Sequence, residues 1–197
     1  MNAFFVINEL LKEQGGILRT ADAVKAGISR TTLGNLVKNG KLERIAHGQY
    51  ISPDSMADEM YMLQQRSDKI IFSHETALFL HNMAERTPFL HSVTIPSNSK
   101  LSPILSEGCK AYYVKPELHE MGRCSVISKM GNEVFVYDAE RTICDILRNR
   151  SRIDSQTFAE AMKSYAARKE QRWNKLSVYA EVFHVTKLLR QYLEVLA

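Results

Sequence analysis

The segment "GISRTTLGNLVKNGKLERIAHGQYI", Gly27 to Ile51, constrains the fold more than any other part of the chain. Ser29 is a good helix N-cap, because its hydroxyl can accept a bond from a first-turn N–H that has no partner inside the helix. Leu33, Leu36 and Val37 follow at helical spacing and make one apolar stripe. Asn39-Gly40 ends the helix. Upstream, Thr20 is expected to cap a second short helix, "TADAVKAG", with Asp22 favourably placed in its first turn and Gly27 as its stop. Two short helices around a tight glycine turn form a helix-turn-helix. A third helix precedes them. In "NAFFVINELLKEQGG", Phe4, Ile7 and Leu11 share one face and Gly15-Gly16 ends it. Downstream, Leu42, Ile45, Tyr50 and Ile51 are expected in two short strands around "AHGQ", where Gly48 supplies the positive φ of a tight hairpin. Helix, helix, helix, hairpin is the order of a winged helix-turn-helix.

Charge gives this unit a direction. Residues 1–52 carry seven Lys and Arg against four Asp and Glu, and no acid falls between residues 23 and 42. A solvated helix face normally mixes both signs. The face opposite the apolar stripe holds Thr31, Asn35 and Lys38, with Arg30 at its shoulder. Asn and Arg are the side chains that bond adenine and guanine edges bidentately. The candidate DNA contacts are Arg19, Arg30, Thr31, Thr32, Asn35, Lys38, Lys41, Arg44, His47 and Gln49. Arg44, His47 and Gln49 lie near the hairpin tip, suited to phosphate or the minor groove. The competing reading is a three-helix module that packs only against protein.

The pattern changes near residue 52. "SPDSMADEMYMLQQRSDK" opens on a Pro-Asp break and continues as an acidic, Met-rich helix, which places one domain over 1–53 and a second over 56–197. Strands are expected at "IIFS", "SVTIP" and "KAYYVKP", and a hairpin at "CSVISKMGNEVFVYD" turning at Gly131-Asn132. Helices are expected at "SHETALFLHNM", capped by Ser73, and at "DAERTICDILRNR", capped by Asp138. Two long helices, roughly 154–170 and 173–195, close the chain, with Trp173 anchoring the second. The fold class is therefore α+β: a winged helix-turn-helix, then a mixed α/β domain ending in two long helices.

Catalytic signatures are missing. No phosphate-cradling or nucleophile-elbow glycine motif occurs. "HETAL" at His74 and "HEMGR" at His119 begin like a zinc-binding HExxH, but Leu78 and Arg123 occupy the second ligand position. Neither a metal nor a cofactor is expected. Glu140, Arg141 and Asp145 resemble a nuclease cluster, but read first as a helix-surface ion pair. Three widely spaced cysteines argue against a disulfide framework and for a reducing cytoplasm. The apolar runs are too short to span a bilayer, and the N-terminus lacks a signal peptide's basic start. Residues 146–197 hold ten Lys and Arg against five acids. Among them Lys163, Arg168, Lys169, Arg172 and Lys175 form either a basic patch near Trp173 or a solvated, ion-paired surface.

Three segments carry a resemblance: "GGILRTADAVKAGISRTTLGNLVKNGKLERIAHGQYI", "FSHETALFLHNM" and "VFVYDAERTICDIL". In order and spacing, over essentially the whole chain, they resemble the AbiEi family, the abortive-infection antitoxins of bacterial type IV toxin–antitoxin systems. The resemblance implies a neighbour gene for a nucleotidyltransferase-like toxin. It implies repression of the operon through inverted repeats in promoter DNA, and a C-terminal domain that neutralises the toxin without a stable complex. The alternative is a stand-alone winged-helix regulator whose second domain senses a small ligand, with Tyr112, Tyr113 and His119 as possible pocket residues.

Overall fold

The computed structural model describes residues 3–196, so Met1, Asn2 and Ala197, at the outer ends of the two expected domains, lie outside the described residues. The fold is mixed α/β with two sheets. The chain divides into two compact units. One holds the described residues up to Met62 together with Lys129–Asn132; the other holds Leu63–Ser128 and the residues from Glu133 on.

The first unit opens with α1 (Ala3–Glu13), β1 (Leu18–Arg19), α2 (Thr20–Lys25) and α3 (Arg30–Lys38), followed by β2 (Glu43–Ala46) and β3 (Gln49–Ile51). Ile7, Leu11, Leu18, Ala23, Ile28, Leu33 and Leu42 form its core, with Leu36 and Val37 packed against it. β2 and β3 pair as a hairpin, and β1 adds antiparallel to β3, giving the strand order β1-β3-β2. A two-residue strand was not legible as such, because Leu18-Arg19 has no alternation to read. Its presence also corrects the expected cap. Thr20 is the first residue of α2, and its Oγ1 donates to the Gly48 carbonyl at 3.4 Å instead of capping the helix. Gly48 itself has φ +71°, as the hairpin demands.

The second unit begins in α4 (Glu59–Arg66), which the division between units crosses downstream of Pro53-Asp54. Then come β4 (Ile71–Phe72), α5 (His74–Leu80), β5 (His91–Pro96), α6 (Pro103–Gly108), β6 (Cys109–Val114), α7 (Pro116–His119), β7 (Arg123–Ile127), β8 (Glu133–Tyr137) and α8 (Ala139–Arg148). A short 3₁₀ turn (Arg150–Arg152) precedes α9 (Ser155–Ala166), α10 (Trp173–Val182) and α11 (Thr186–Leu196). The sheet order is β6-β5-β4-β8-β7, with β5 parallel to β6, β4 parallel to β8, and antiparallel pairs elsewhere. The β7–β8 hairpin turns at Gly131, as expected, with φ +89°.

Three expectations about helices change here. The chain closes with three helices, not two, because the second breaks at Phe183-His184-Val185, where His184 takes φ +57°. Ser73 precedes α5 but makes no side-chain cap; its hydroxyl instead accepts from Thr94 Oγ1 at 2.8 Å inside the protein. Trp173 starts α10 yet stays partly exposed, touching Tyr165 edge-on, so it is no buried anchor. Asp138 does cap α8, accepting from the Arg141 amide at 2.8 Å.

α8 is the buried axis of the second unit: Ile143, Ile146 and Leu147 have no exposed surface. Arg141 is 1% exposed and Asp145 4%, so the expected helix-surface pair is a core pair. Arg141 Nε bonds Asp145 Oδ2 at 3.0 Å, and Nη1 donates to the Leu118 and Met121 carbonyls. Its guanidinium lies between the Tyr137 and Phe183 rings at 4.1 and 3.9 Å. A side chain at Gly122 would place its Cβ 2.7 Å from Arg141 Cβ, so that position excludes one on space as well as on its φ of +81°. Glu140 is buried too and accepts from the Tyr165 hydroxyl. The sequence alone could not separate the core pair from a surface pair, because i, i+4 spacing is common to both.

Among the described residues, no helix is long and apolar enough to cross a membrane.

Candidate nucleic-acid interface

α2 and α3 are joined by Gly27, which closes α2 and lets Ile28 return to the core, its amide bonding the Ala23 carbonyl at 2.9 Å. Ser29 then caps α3, accepting from the Thr32 amide at 3.1 Å. Leu33 pins the helix to the core. The opposite face follows from the 3.6-residue repeat: Arg30, Thr31, Gly34, Asn35 and Lys38 are all exposed. None of the Arg30, Thr31, Asn35 and Lys38 side chains has a hydrogen-bond or ion partner among the described residues. Nine residues of helix are about 13 Å long, at ~1.5 Å each, and it is the ~10–12 Å diameter of a helix with its side chains that suits the ~12 Å width of the B-DNA major groove.

The remaining expected contacts divide. At the hairpin, Arg44 Nη2 lies 3.3 Å from His47 Nδ1. A guanidinium only donates, so Nδ1 accepts and the His47 proton sits on Nε2. Both residues are exposed at the tip. Lys41 is exposed, its ammonium 5.1 Å from the Phe4 ring centroid. Thr32 is half-buried and shares its hydroxyl with the Ser29 cap. Arg19 is already matched by Asp22 at 2.6 Å. Gln49 is buried at 3% exposure, and its side-chain amide reaches the Met62 carbonyl, which removes it from the contact set. Strand alternation turned it inward, and the strand register could not be read from three residues.

Residues 6–53 match the family described as transcriptional regulator, AbiEi antitoxin. The match covers α2, α3 and the hairpin and stops at the Pro53-Asp54 break. Among curated proteins, nothing matches the chain. Among solved structures, the chain is similar to the RV2827C protein from Mycobacterium tuberculosis. The identity is 11%, the TM-score 0.55, and the likeness covers 96% of this chain and 79% of that one. It is a likeness of fold.

Outside the AbiEi match, the five basic residues expected as one surface in the second unit are not alike. Lys175 Nζ pairs with Asp138 Oδ2 at 2.7 Å, and Arg168 Nη1 donates to the His81 carbonyl at 3.1 Å. Lys163, Lys169 and Arg172 are exposed, with no partner among the described residues. Arg168, Arg172 and Lys175 share a cleft with Asp138, Glu140 and Glu170, so its sign is mixed. Sequence reasoning passed over a different cationic run, Arg148, Arg150 and Arg152, where "RNRSR" ends α8. Each is exposed and none pairs with a carboxylate among the described residues. Three arginines at every second position were the available signal.

Among the described residues, no group of three or more His, Cys, Asp and Glu could hold a metal. The Cys109 and Cys144 thiols are buried, and burial pushes the Cys109 thiol up to about 11.

Proposed function

We propose that the first unit is a winged helix-turn-helix that binds double-stranded promoter DNA, with α3 as the recognition helix and the β2–β3 hairpin as the wing. Arg30, Thr31, Asn35 and Lys38 read base edges and neighbouring phosphates, while Lys41, Arg44 and His47 add backbone contacts. The observation that carries this reading is the acid-free, unpartnered face of α3. Its support is the matched family, whose description is that of a transcriptional regulator and antitoxin. On this reading the protein represses its own operon at inverted repeats. It is a binding protein with no catalytic role, and it works in the cytoplasm, where its free thiols stay reduced.

The second unit then carries antitoxin activity against a nucleotidyltransferase-like toxin, without a stable complex, in a type IV abortive-infection system that defends against phage. Lys163, Lys169 and Arg172 are the unpaired cations available to it from the patch expected around the turn between α9 and α10, near Trp173. A second reading, a stand-alone regulator with a ligand-sensing second domain, is favoured by one observation: Tyr112 and Tyr113 line a common cavity, although His119 is absent from it. Co-expression of the full chain with the toxin encoded beside it, against a promoter reporter, tests the assignment. Arg30→Ala/Asn35→Ala should lose repression and keep protection. Loss of both together, with the fold intact by circular dichroism, would contradict a division of labour between the units.

A further inference from the structure

The second unit contains a cavity of about 200 Å³ at the C-terminal end of α8, beside β5 and β6. Four cations act on it and only two are balanced: Arg141 by Asp145 and Lys110 by Glu75. Arg148 and Arg152 line it with no carboxylate partner among the described residues.

The wall of the cavity is built with unusual constraint. His74 is buried in the left-handed backbone region, at φ +47°, where a residue with a side chain is rare. Its ring stacks on Tyr112, with centroids 3.4 Å apart and planes at 12°. Asn149 Nδ2 donates to the Asp145 carbonyl at 3.1 Å and to His74 Nε2 at 3.0 Å. With Nε2 accepting, the His74 proton sits on Nδ1 and is donated to Ser73 Oγ at 2.9 Å. Both amide hydrogens of Asn149 are thus used, and its Oδ1 remains an acceptor without a donor among the described residues. The Tyr112 hydroxyl is buried and interacts with the Lys110 ammonium, and the Arg152 guanidinium lies 4.5 Å from the Tyr112 ring centroid. Burial first, and then the field of Lys110, Arg141, Arg152 and Arg148, holds His74 well below its usual pKa, so it adds no charge of its own.

We propose that this cavity binds the phosphate group of a nucleotide. Two free guanidinium groups match the planar, bidentate recognition that phosphate favours. A volume of about 200 Å³ is below the ~300–1,000 Å³ of sites that enclose a whole small molecule. The phosphate therefore enters, and the rest of the ligand lies at the rim. Asn149 Oδ1 accepts from a sugar hydroxyl or a base N–H. The site stands apart from the DNA-binding reading, because none of its residues belongs to the first unit.

Calorimetric titration of the full chain with inorganic phosphate, a nucleoside monophosphate, the parent nucleoside and a short single-stranded oligonucleotide tests the proposal. The monophosphate should bind saturably and more tightly than inorganic phosphate, and the nucleoside should not bind. Arg148→Ala/Arg152→Ala should weaken the monophosphate by roughly tenfold or more, since each arginine supplies charged hydrogen bonds. Both side chains are exposed, so the unliganded double variant should keep its fold by circular dichroism. In NMR, the His74 imidazole should take up a proton at higher pH when phosphate is bound, because the anion offsets the surrounding cations. An oligonucleotide that binds more tightly than the monophosphate through the same two arginines would give the phosphate to a nucleic-acid strand in place of a free nucleotide. No saturable binding by any phosphate-bearing probe, or equal binding by Arg148→Ala/Arg152→Ala, would overturn the proposal.

Discussion

Arg30 and Lys38 on α3 hold their charges in solvent with no partner among the described residues, whereas Arg168 and Lys175 are tied to the His81 carbonyl and to Asp138. In the sequence both stretches are simply basic. The first occupies one helix whose apolar stripe faces a small core, so everything opposite the stripe faces outward. The second lies across a turn between helices, where partners come from the N-cap of α8 and the C-cap of α5, far away in sequence. Unpaired charge is what a polyanion can use, and it follows from local periodicity in one region and from tertiary partners in the other.

The largest expected effect separates a core pair from a surface pair. Asp145→Ala leaves the Arg141 guanidinium buried without its carboxylate, and should destabilise the protein by about 3–5 kcal/mol. Lys175→Ala removes a pair that is partly exposed on both sides, and should cost below ~1 kcal/mol. Urea denaturation of both variants measures this. Similar costs for the two would mean that the buried and exposed pairs are energetically alike.

Next in size is the pH dependence of the second unit. Burial and nearby cations hold His74 well below its ordinary value, and burial does the same, less strongly, for His81. An unfolded histidine titrates near 6.5, so below that pH the unfolded chain binds protons that the native chain refuses. The stability from keeping these rings neutral is present above about pH 6.5 and is lost on acidification, at up to ~1.4 kcal/mol per pH unit for each histidine. Denaturation midpoints between about pH 7 and pH 5 should fall for the wild type and fall less for His74→Asn, since Asn tolerates the left-handed backbone. Equal slopes would remove His74 from the account.

Much of the first unit was legible in the sequence because its signals are local. The Ser29 cap, the Leu33 stripe and the Gly48 turn each depend on a few neighbouring residues. Gln49 was misread because its burial depends on the register of a strand paired with β1, itself too short to announce itself. In the second unit the elements were mostly visible and their burial was not. Arg141 and Asp145 have a spacing that fits solvent as well as core, and only the packing of Tyr137 and Phe183 around them decides. The break at His184 carries neither Gly nor Pro, so the closing helices read as two. The cavity at Arg148 and Arg152 joins residues from α5, β5, β6 and α8, which no linear motif collects.

A smaller effect sharpens the comparison at the middle of α3. A Cβ added at Gly34 would meet nothing within 4 Å, so no intramolecular contact requires glycine there. Gly34→Ala should raise stability by about 0.5–1 kcal/mol, because glycine is a poor helix former. The added methyl group lies among Arg30, Thr31, Asn35 and Lys38, so promoter affinity should drop as stability rises. A higher melting temperature with unchanged promoter affinity would place the DNA elsewhere.

The most direct test of the central claim is fluorescence anisotropy of the full chain on its promoter and on a scrambled duplex at fixed salt. It compares the wild type with Arg30→Ala/Asn35→Ala. Each lost base-edge contact is worth about 1–3 kcal/mol, so the double variant should bind the promoter at least tenfold more weakly. Its preference for promoter over scrambled DNA should shrink while its melting temperature stays unchanged. Undiminished affinity and preference in a folded double variant would contradict the account.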